Sequence, residues 1–371
     1  MSNITKNQHY IPQSILSNFA NNKGKVFEIL LKNMNIYSVS YRQSMSERFT
    51  YEHPYLEDNY LEKKFGTLES YFAPAMRKII ESIESDSFNI QDIKKQSETY
   101  MRDFLIFYYR SGALLNEYTL GGLQKEDKIP LLLEKIFDSK YLIELSNTII
   151  KHYDFSIIKS EEDGFLLSDQ YVSTCALSIK GQYANLSNRH LGLKDVLILI
   201  PLSSKYYITY FNGKKPHYIN SNAVNILSGD QVREINTSII NNSYIKCIGA
   251  KRESIELVKE AFKFESPSKA IMVYESGRQI AALNKKEVFF YDTDIEQWSY
   301  FRNLHHTKNF HTKRNDICNC GSGKKYKRCC LTKTERNYSI VNNMYKEGHH
   351  IKIRVHSTAI LEKPLDEYTF V

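Results

Sequence analysis

Four of the chain's six cysteines lie within thirteen residues near its C-terminus, in the stretch CNCGSGKKYKRCC (residues 318–330). They form two close pairs, Cys318 with Cys320 and Cys329 with Cys330, on either side of an eight-residue turn. This spacing lets four thiolates converge on one tetrahedral ion, and soft thiolate sets favour zinc first and iron second. Protein sulfurs fill all four positions and leave none for water, so the sequence predicts a structural zinc knuckle.

Two other interpretations of this stretch fit less well. A phosphate-binding loop needs Gly, four residues and then Gly-Lys-Ser/Thr, but Cys318 stands at the first glycine position and Lys325 follows Lys324. Disulfides are rare in the cytoplasm, where the polar N-terminus MSNITKNQHYIPQ, lacking an apolar signal segment, places the chain. These cysteine pairs would also close very small loops.

The residues N-D-x-C-x-C-G-S-G-x-K-x-x-x-C-C, from Asn315 to Cys330, resemble the SEC-C zinc motif, which is named for the C-terminus of the bacterial SecA ATPase. In other proteins this module docks to partners, ribosomes among them, and it is appended to many unrelated domains. The resemblance therefore implies a docking module at the end of this chain and leaves the activity of the rest open.

The net charge of +8 is concentrated around this module. Between Arg302 and Arg328 eight Lys or Arg residues accompany a single acid, Asp316, so the segment carries +7 and the body is nearly neutral. Two explanations of the cations next to the cysteines are open. They offset the −2 charge of a zinc-tetrathiolate core, or they contact the phosphates of RNA, DNA or a ribosomal partner.

The other four of these eight cations lie outside the cysteine cluster and favour an anionic partner; they are Arg302, Lys308, Lys313 and Arg314. Two aromatic residues of the same region, Phe310 and Tyr326, either stack on bases or pack the knuckle.

Hydrophobic periodicity predicts an α+β fold, with a helical layer packed on a small mixed or antiparallel sheet. Apolar residues at spacings of three and four predict helices over 56–83, 93–118, 129–150, 221–241 and 254–264. Short β-branched or aromatic runs predict strands over 25–31, 36–39, 155–158, 164–168, 196–200 and 206–210. Residues 351–355 alternate like an exposed strand.

These patterns divide the chain into an α+β domain (1–300), a basic linker (301–314), the knuckle (315–332) and a tail (333–371). The most apolar run, 196–202, is far shorter than the roughly 20 residues that span a bilayer, so no membrane segment is expected.

The N-terminal residues NQHYIPQ (7–13) resemble the start of a bacterial family, the domain-of-unknown-function family numbered forty-two thirty-eight. Further short matches follow in the family's order, namely Leu16, Phe19-Ala20, Glu47, Phe49, Tyr51, Leu61-Glu62, Glu69, Arg110-Ser111, Ser168-Asp169, Pro201-Leu202-Ser203 and Ile235-Asn236. Gln170 and Tyr171 depart from the small polar residue and Pro that the family usually has after Asp169. The resemblance implies no established catalytic residues.

Two glutamates, Glu62 and Glu69, lie seven residues apart on the first long helix and therefore share one face. Arg110 on the neighbouring helix is a candidate partner, and a buried Arg–Glu pair joining the two helices is the structural interpretation. The catalytic hypothesis adds His9 and Asp169. The carboxylates of this polar cluster would hold Mg²⁺ or Mn²⁺ for phosphodiester cleavage, with His9 as general base or ligand.

These observations favour a cytoplasmic bacterial protein whose α+β domain acts on nucleic acid or on a ribosome-associated target, with the zinc knuckle bringing it there. A metal-dependent nuclease or toxin-like phage-defence effector is the most concrete form of this hypothesis. The competing hypothesis is a non-enzymatic binding or adaptor protein with a structural zinc site and a structural polar cluster.

Overall fold

The computed structural model describes residues 5, 7–54, 56–111, 136, 139–177, 191, 195–263, 268–275, 278–286, 288–292, 312–318, 322–332, 335, 352–353 and 368–369. Over these residues the fold is α+β, as predicted. Seven helices are described: α1 (Gln13–Ser17), α2 (Tyr60–Glu84), α3 (Ile90–Thr99), α4 (Met101–Arg110), α5 (Ser139–His152), α6 (Gly229–Asn242) and α7 (Arg252–Lys259). None of them is both long and apolar enough to cross a bilayer.

The first eleven strands belong to the α+β domain predicted over residues 1–300, which we call the body. In chain order they are β1 (Asn7–His9), β2 (Lys25–Leu30), β3 (Asn35–Ser40), β4 (Ser46–Arg48), β5 (Asp154–Ser160), β6 (Leu166–Ser168), β7 (Ser173–Ala176), β8 (Val196–Pro201), β9 (Tyr206–Asn212), β10 (Val224–Leu227) and β11 (Lys246–Gly249). Two hairpin-like pairs follow: β12 (Ser268–Glu275) with β13 (Arg278–Lys286), and β14 (Lys352–Ile353) with β15 (Tyr368–Thr369).

Two sheets form the centre of the body. The five-stranded sheet has the order β10-β5-β9-β8-β7, in which only the β10–β5 pair is parallel. The four-stranded sheet has the order β3-β2-β11-β6 and is antiparallel throughout. All six residues of β8 are buried, which explains its continuous apolar sequence VLILIP. Helix α6 contacts both β6 and β7 and so links the two sheets.

The helices α2 to α5 form the predicted helical layer. Helix α2 buries the stripe that its spacing predicts, Leu61, Phe65, Leu68, Phe72, Met76 and Ile79, and it continues through Pro74. Phe72 packs edge-to-face on Phe104 of α4, with ring centroids 5.5 Å apart. Helix α4 in turn contacts α5.

Two of the predicted helices were wrong in their extent. The segment predicted as one helix over 93–118 divides at Tyr100, and residues 112–118 lie outside the described residues. The segment 221–241 begins with strand β10, because Val224–Leu227 pair with β5, and its helix starts only at Gly229. There Ser228 and Gln231 form a capping box, which satisfies the first amides of the helix and which the periodicity alone did not locate.

Candidate functional site

Three cysteines of the predicted knuckle converge. Their Sγ atoms, in Cys318, Cys329 and Cys330, all lie within 4.8 Å of one another. Cys329 Sγ and Cys330 Sγ are 3.7 Å apart. That is too long for a disulfide of about 2.05 Å. Two sulfurs on one tetrahedral ion with Zn–S bonds of about 2.3 Å lie about 3.8 Å apart. The fourth predicted ligand, Cys320, lies outside the described residues.

The backbone around these cysteines holds them in place. A short antiparallel bridge joins Ile317 to Lys325, and Cys318 N–H donates to the Lys324 carbonyl at 2.8 Å. The turn between them uses Gly323 at φ 69°, a left-handed conformation that favours glycine. A single 3-10 turn, Tyr326–Arg328, then delivers Cys329, whose N–H donates to the Tyr326 carbonyl at 3.0 Å.

The donor set fits a zinc ion. Thiolates are its preferred structural ligands, and Ser322 Oγ lies 3.2 Å from Cys329 Sγ, where its hydroxyl can donate to a thiolate. Such hydrogen bonds from outside the ligand set orient and stabilise the sulfur. The arrangement therefore suits a structural metal site, in which the protein supplies the ligands and the ion holds the turn together.

The surface of the knuckle is cationic. Six basic side chains are exposed on it and form no ion pair with a described residue; they are Lys313, Arg314, Lys324, Lys325, Lys327 and Arg328. Tyr326 is buried and packs the knuckle rather than offering a ring for stacking. Arg302, Lys308 and Phe310, which the sequence also singles out, lie outside the described residues.

A second polar site surrounds Arg110 in the body. The guanidinium of Arg110 is buried between α2 and α4. Nη1 donates to Glu69 Oε1 at 2.5 Å, and Nη2 donates to the His9 carbonyl at 2.5 Å. The guanidinium also lies over the Phe65 ring, 4.3 Å from its centroid. Tyr51 closes the site by donating from its hydroxyl to the Arg110 carbonyl at 2.8 Å. The structure therefore contains the Arg–Glu pair of the structural interpretation, with Arg110 buried and Glu69 half-buried.

The other residues of the catalytic hypothesis are His9, Glu62 and Asp169, and each has its own local environment. The His9 ring Nε2 lies 3.0 Å from the Arg42 carbonyl, and burial lowers the pKa of His9. Glu62 is half-buried, and burial raises its pKa against the opposing effect of Arg110. Asp169 accepts hydrogen bonds from three backbone amides, those of Tyr244, Ile245 and Lys246.

Among the described residues, the three cysteines are the only group of three or more His, Cys, Asp or Glu residues with ligand atoms close enough for one ion. His9, Glu62, Glu69 and Asp169 are all described and do not form such a group. A guanidinium next to Glu69 also repels a second cation. The catalytic role of the five residues stays a prediction.

Sequence reasoning missed the residues that complete this network. Gln8 is fully buried, donates to Glu52 Oε1 at 2.6 Å and accepts from the Tyr51 amide at 2.8 Å. Glu52 in turn accepts from the amide of Asn59, the residue preceding α2. The only available signal was the position of Gln8 beside His9 in the NQHYIPQ stretch. In that stretch the sequence pointed to His9 as a candidate catalytic residue, although Gln8 is the fully buried residue.

Two pockets adjoin helices α6 and α7, on another part of the body. Their volumes are about 650 and 290 Å³, and Arg233 and Leu257 line both. The residues of the Arg110 network line neither of them.

Comparison with known proteins identifies two regions. A family model described as a protein of unknown function (DUF4238) matches residues 7–254, and the SEC-C motif matches residues 314–332. No curated protein and no solved structure matches the chain. The first model covers well over half of the 371 residues. The chain therefore belongs to the DUF4238 family of proteins of unknown function and carries a SEC-C motif near its C-terminus.

Proposed function

We propose that this protein binds nucleic acid through its zinc knuckle, which brings the DUF4238 body to RNA, DNA or a ribosome-associated target in the cytoplasm. One observation carries the proposal. Six exposed cations surround the cysteine cluster, and only one acid, Asp316, accompanies them in residues 312–332. The carboxylate of Asp316 is engaged locally, because Oδ2 accepts from the Lys313 amide at 2.8 Å.

The charge balance supports this function over simple compensation. A zinc ion with four thiolates carries −2, so two cations would offset it. The described knuckle residues carry six exposed cations and one acid. The surplus faces solvent, where Lys and Arg are suited to contact phosphate oxygens.

The test measures binding of a labelled single-stranded RNA, and of a duplex DNA of the same length, to the zinc-loaded full chain. We expect the logarithm of the binding constant to fall linearly with the logarithm of salt concentration, by about 0.7 per phosphate contact for a single strand. Replacing Lys324, Lys325 and Lys327 with Gln should lower both the affinity and this slope. Replacing Arg77, Lys78 and Lys63, exposed cations of α2, is the matched control. Equal losses in the two triple variants would refute the docking role of the knuckle.

For the body, the competing adaptor hypothesis has the more specific structural support. Its polar cluster is organised around a buried guanidinium, and Asp169 is engaged by backbone amides, as expected of structural residues. The enzymatic hypothesis makes a different prediction, namely cleavage of RNA or DNA in Mg²⁺ or Mn²⁺ that is lost in Glu69→Gln without loss of folding. No cleavage at all supports the adaptor form, whereas cleavage that survives both Glu69→Gln and His9→Ala would exclude these two residues from catalysis.

A further inference from the structure

The two pockets beside α6 and α7 are adjacent, because Arg233 of α6 and Leu257 of α7 line both of them. We call the two together the α6–α7 groove. Its larger part lies between α6, the end of α7 and residues 288–292. Its smaller part lies between the starts of both helices and residues 160–164. Together they offer a concave surface that extends to either side of Arg233 and Leu257.

Acidic side chains outnumber basic ones along the groove. The carboxylates are Glu161, Glu162, Glu234, Glu253, Glu260 and Asp292, and the cations are Arg233, Lys251 and Lys263. Two of the cations are already paired, Lys251 with Glu162 at 3.5 Å and Lys263 with Asp292 at 3.0 Å.

Four of the carboxylates have no such partner. They are exposed and form no ion pair with a described residue, namely Glu161, Glu234, Glu253 and Glu260. Glu234 accepts a hydrogen bond from the Tyr218 hydroxyl. The groove, with six carboxylates and three cations, therefore carries a net charge of −3. It attracts a cation-rich surface, which is the kind of complementarity that directs one protein surface to another.

The groove also presents apolar surface. Leu257 is 65% exposed at the boundary of its two parts, and Tyr291 is 39% exposed on its rim. Leu257 and Tyr291 line the same part of the groove, and exposed apolar residues that lie together in this way can mark a contact surface. The knuckle offers a matching pair of features, since Ile317 is 69% exposed beside Lys325, in the midst of the six exposed cations.

The knuckle is tethered to the rim of this groove. The body's described chain reaches Asp292, which lines the larger part, and the knuckle begins at Thr312. Only 19 residues, 293–311, separate them, so the Cα atoms of Asp292 and Thr312 lie within about 70 Å of each other. A tether of this length gives effective concentrations on the millimolar order, and a weak electrostatic contact then becomes appreciably populated.

We propose that the α6–α7 groove binds the zinc knuckle of the same chain, with the knuckle's lysines on the groove carboxylates and Ile317 against Leu257. Docking would cover the cations that the proposed function assigns to nucleic acid, so the groove and the nucleic acid compete for one surface. This competition depends on the proposed function, whereas the docking itself does not.

Zero-length carbodiimide cross-linking of the zinc-loaded full chain tests the docking without any nucleic acid. The reagent joins a lysine to a carboxylate only when the two are in contact. We expect cross-links from Lys313, Lys324, Lys325 or Lys327 to Glu162, Glu234 or Asp292, read by mass spectrometry. They should fall severalfold in about 0.5 M salt, where the Debye length is only about 4 Å.

A triple variant tests whether the cross-links depend on the groove carboxylates or only on the net charge of the protein. Glu161→Gln, Glu253→Gln and Glu260→Gln weaken the groove but leave the three carboxylates of the readout in place, so the cross-link yield should fall severalfold. The control triple, Glu57→Gln, Glu81→Gln and Asp86→Asn, makes the same charge change at exposed positions elsewhere and should leave the yield unchanged. Equal losses in both variants, or no cross-links in the unaltered chain, would overturn the proposal.

A mixture of ¹⁴N- and ¹⁵N-labelled chains identifies the occupant. Cross-links within one isotope support binding of the chain's own knuckle, and predominantly mixed-isotope cross-links overturn it in favour of a second copy.

The same variants test the competition with a labelled single-stranded RNA. The groove triple should bind this RNA about threefold more tightly than the control triple, a difference of about 0.7 kcal/mol in binding free energy. If no variant binds RNA while the cross-links persist, the proposed function fails and the docking stands.

Discussion

Arg110 and Glu69 form a direct ion pair between α4 and α2, with Nη1 donating to Oε1 at 2.5 Å. The two side chains are unequally buried, since the Arg110 side chain is 2% exposed and that of Glu69 is 30% exposed. Removing the glutamate therefore leaves a cation in the interior whose polar partners in the described structure are the His9 carbonyl and the Tyr51 hydroxyl, neither of which carries a compensating charge. That asymmetry determines what substitution of each residue should do.

Glu69→Ala should lower the free energy of unfolding by about 3 kcal/mol, because an unpaired buried charge is costly. Glu81→Ala, an exposed position on the same helix, should change it by less than about 0.5 kcal/mol. The double variant Glu69→Ala, Arg110→Met should recover much of the loss, because it removes the orphaned charge as well. Urea unfolding of these proteins and of Arg110→Met alone provides the double-mutant comparison. Strict additivity of the two substitutions would contradict the pairing.

Substitutions of Asp169 distinguish a structural role of this carboxylate from a catalytic one. Its oxygens accept from the amides of residues 244–246, where the chain enters β11. Asp169→Ala should therefore cost about 3 kcal/mol of stability, since several charge-assisted hydrogen bonds are lost together. Asp169→Asn should cost less, because the amide oxygen still accepts. Urea unfolding measures both costs. A variant of full stability that lacks any nucleolytic activity would instead assign Asp169 to catalysis.

If the cysteine cluster holds zinc, the protein should contain about one zinc ion per chain. Cys318→Ser and Cys329→Ser should each release about one zinc per chain, measured by atomic emission on dialysed protein. Cys175 and Cys247 are buried thiols of the body, and burial raises the pKa of Cys175 to about 12. Cys175→Ala is therefore the matched control and should keep its metal. Unchanged zinc in the Cys318 and Cys329 variants would refute the site.

The sequence predicted the elements whose side-chain periodicity reflects burial. The stripe on α2 and the apolar run of β8 follow directly from the faces that these elements bury. Strand β10 was missed because only its pairing with β5 makes it a strand, and such a long-range contact leaves no local pattern. For the same reason Gln8 was overlooked, since its partners Glu52 and Tyr51 lie more than forty residues away.

The cysteine cluster was predictable for the opposite reason. Its ligands are close in sequence, so their spacing alone restricts the geometry, and the structure brings three of them together. The polar cluster draws on β1, α2, α4 and the turn after β6. Sequence placed Glu69 and Arg110 on neighbouring helices, but it could not show that His9 contacts the guanidinium through its backbone carbonyl rather than its ring.

A side chain at Gly249 in β11 should require its neighbour on β6 to shift. A Cβ at this position would lie 2.7 Å from Leu166 Cδ2 on the neighbouring strand β6. Gly249→Ala should therefore lower the free energy of unfolding by about 1–3 kcal/mol through overpacking. Gly66 on α2 is the matched control, because nothing lies within 4 Å of its Cβ position. Gly66→Ala should stabilise the protein by about 0.5–1 kcal/mol. Thermal unfolding that shifts in the same direction for both variants would contradict this packing.

Glu62 should make stability depend on pH in a defined direction. One of its carboxylate oxygens is buried without a hydrogen-bond partner in the described structure, and burial raises its pKa above the ordinary 4.5. The folded chain therefore holds this proton more tightly than the unfolded chain does. The resulting stabilisation is complete below about pH 4.5 and is lost as the pH rises through the raised pKa.

Glu62→Gln removes this titration and keeps the size of the side chain. Relative to the unaltered chain, the variant should gain free energy of unfolding between about pH 4 and about pH 7, measured by urea unfolding at both values. Glu81→Gln, at an exposed position of the same helix, should show no such gain. If Glu62→Gln instead loses relative stability toward neutral pH, attraction by Arg110 outweighs the burial of the carboxylate.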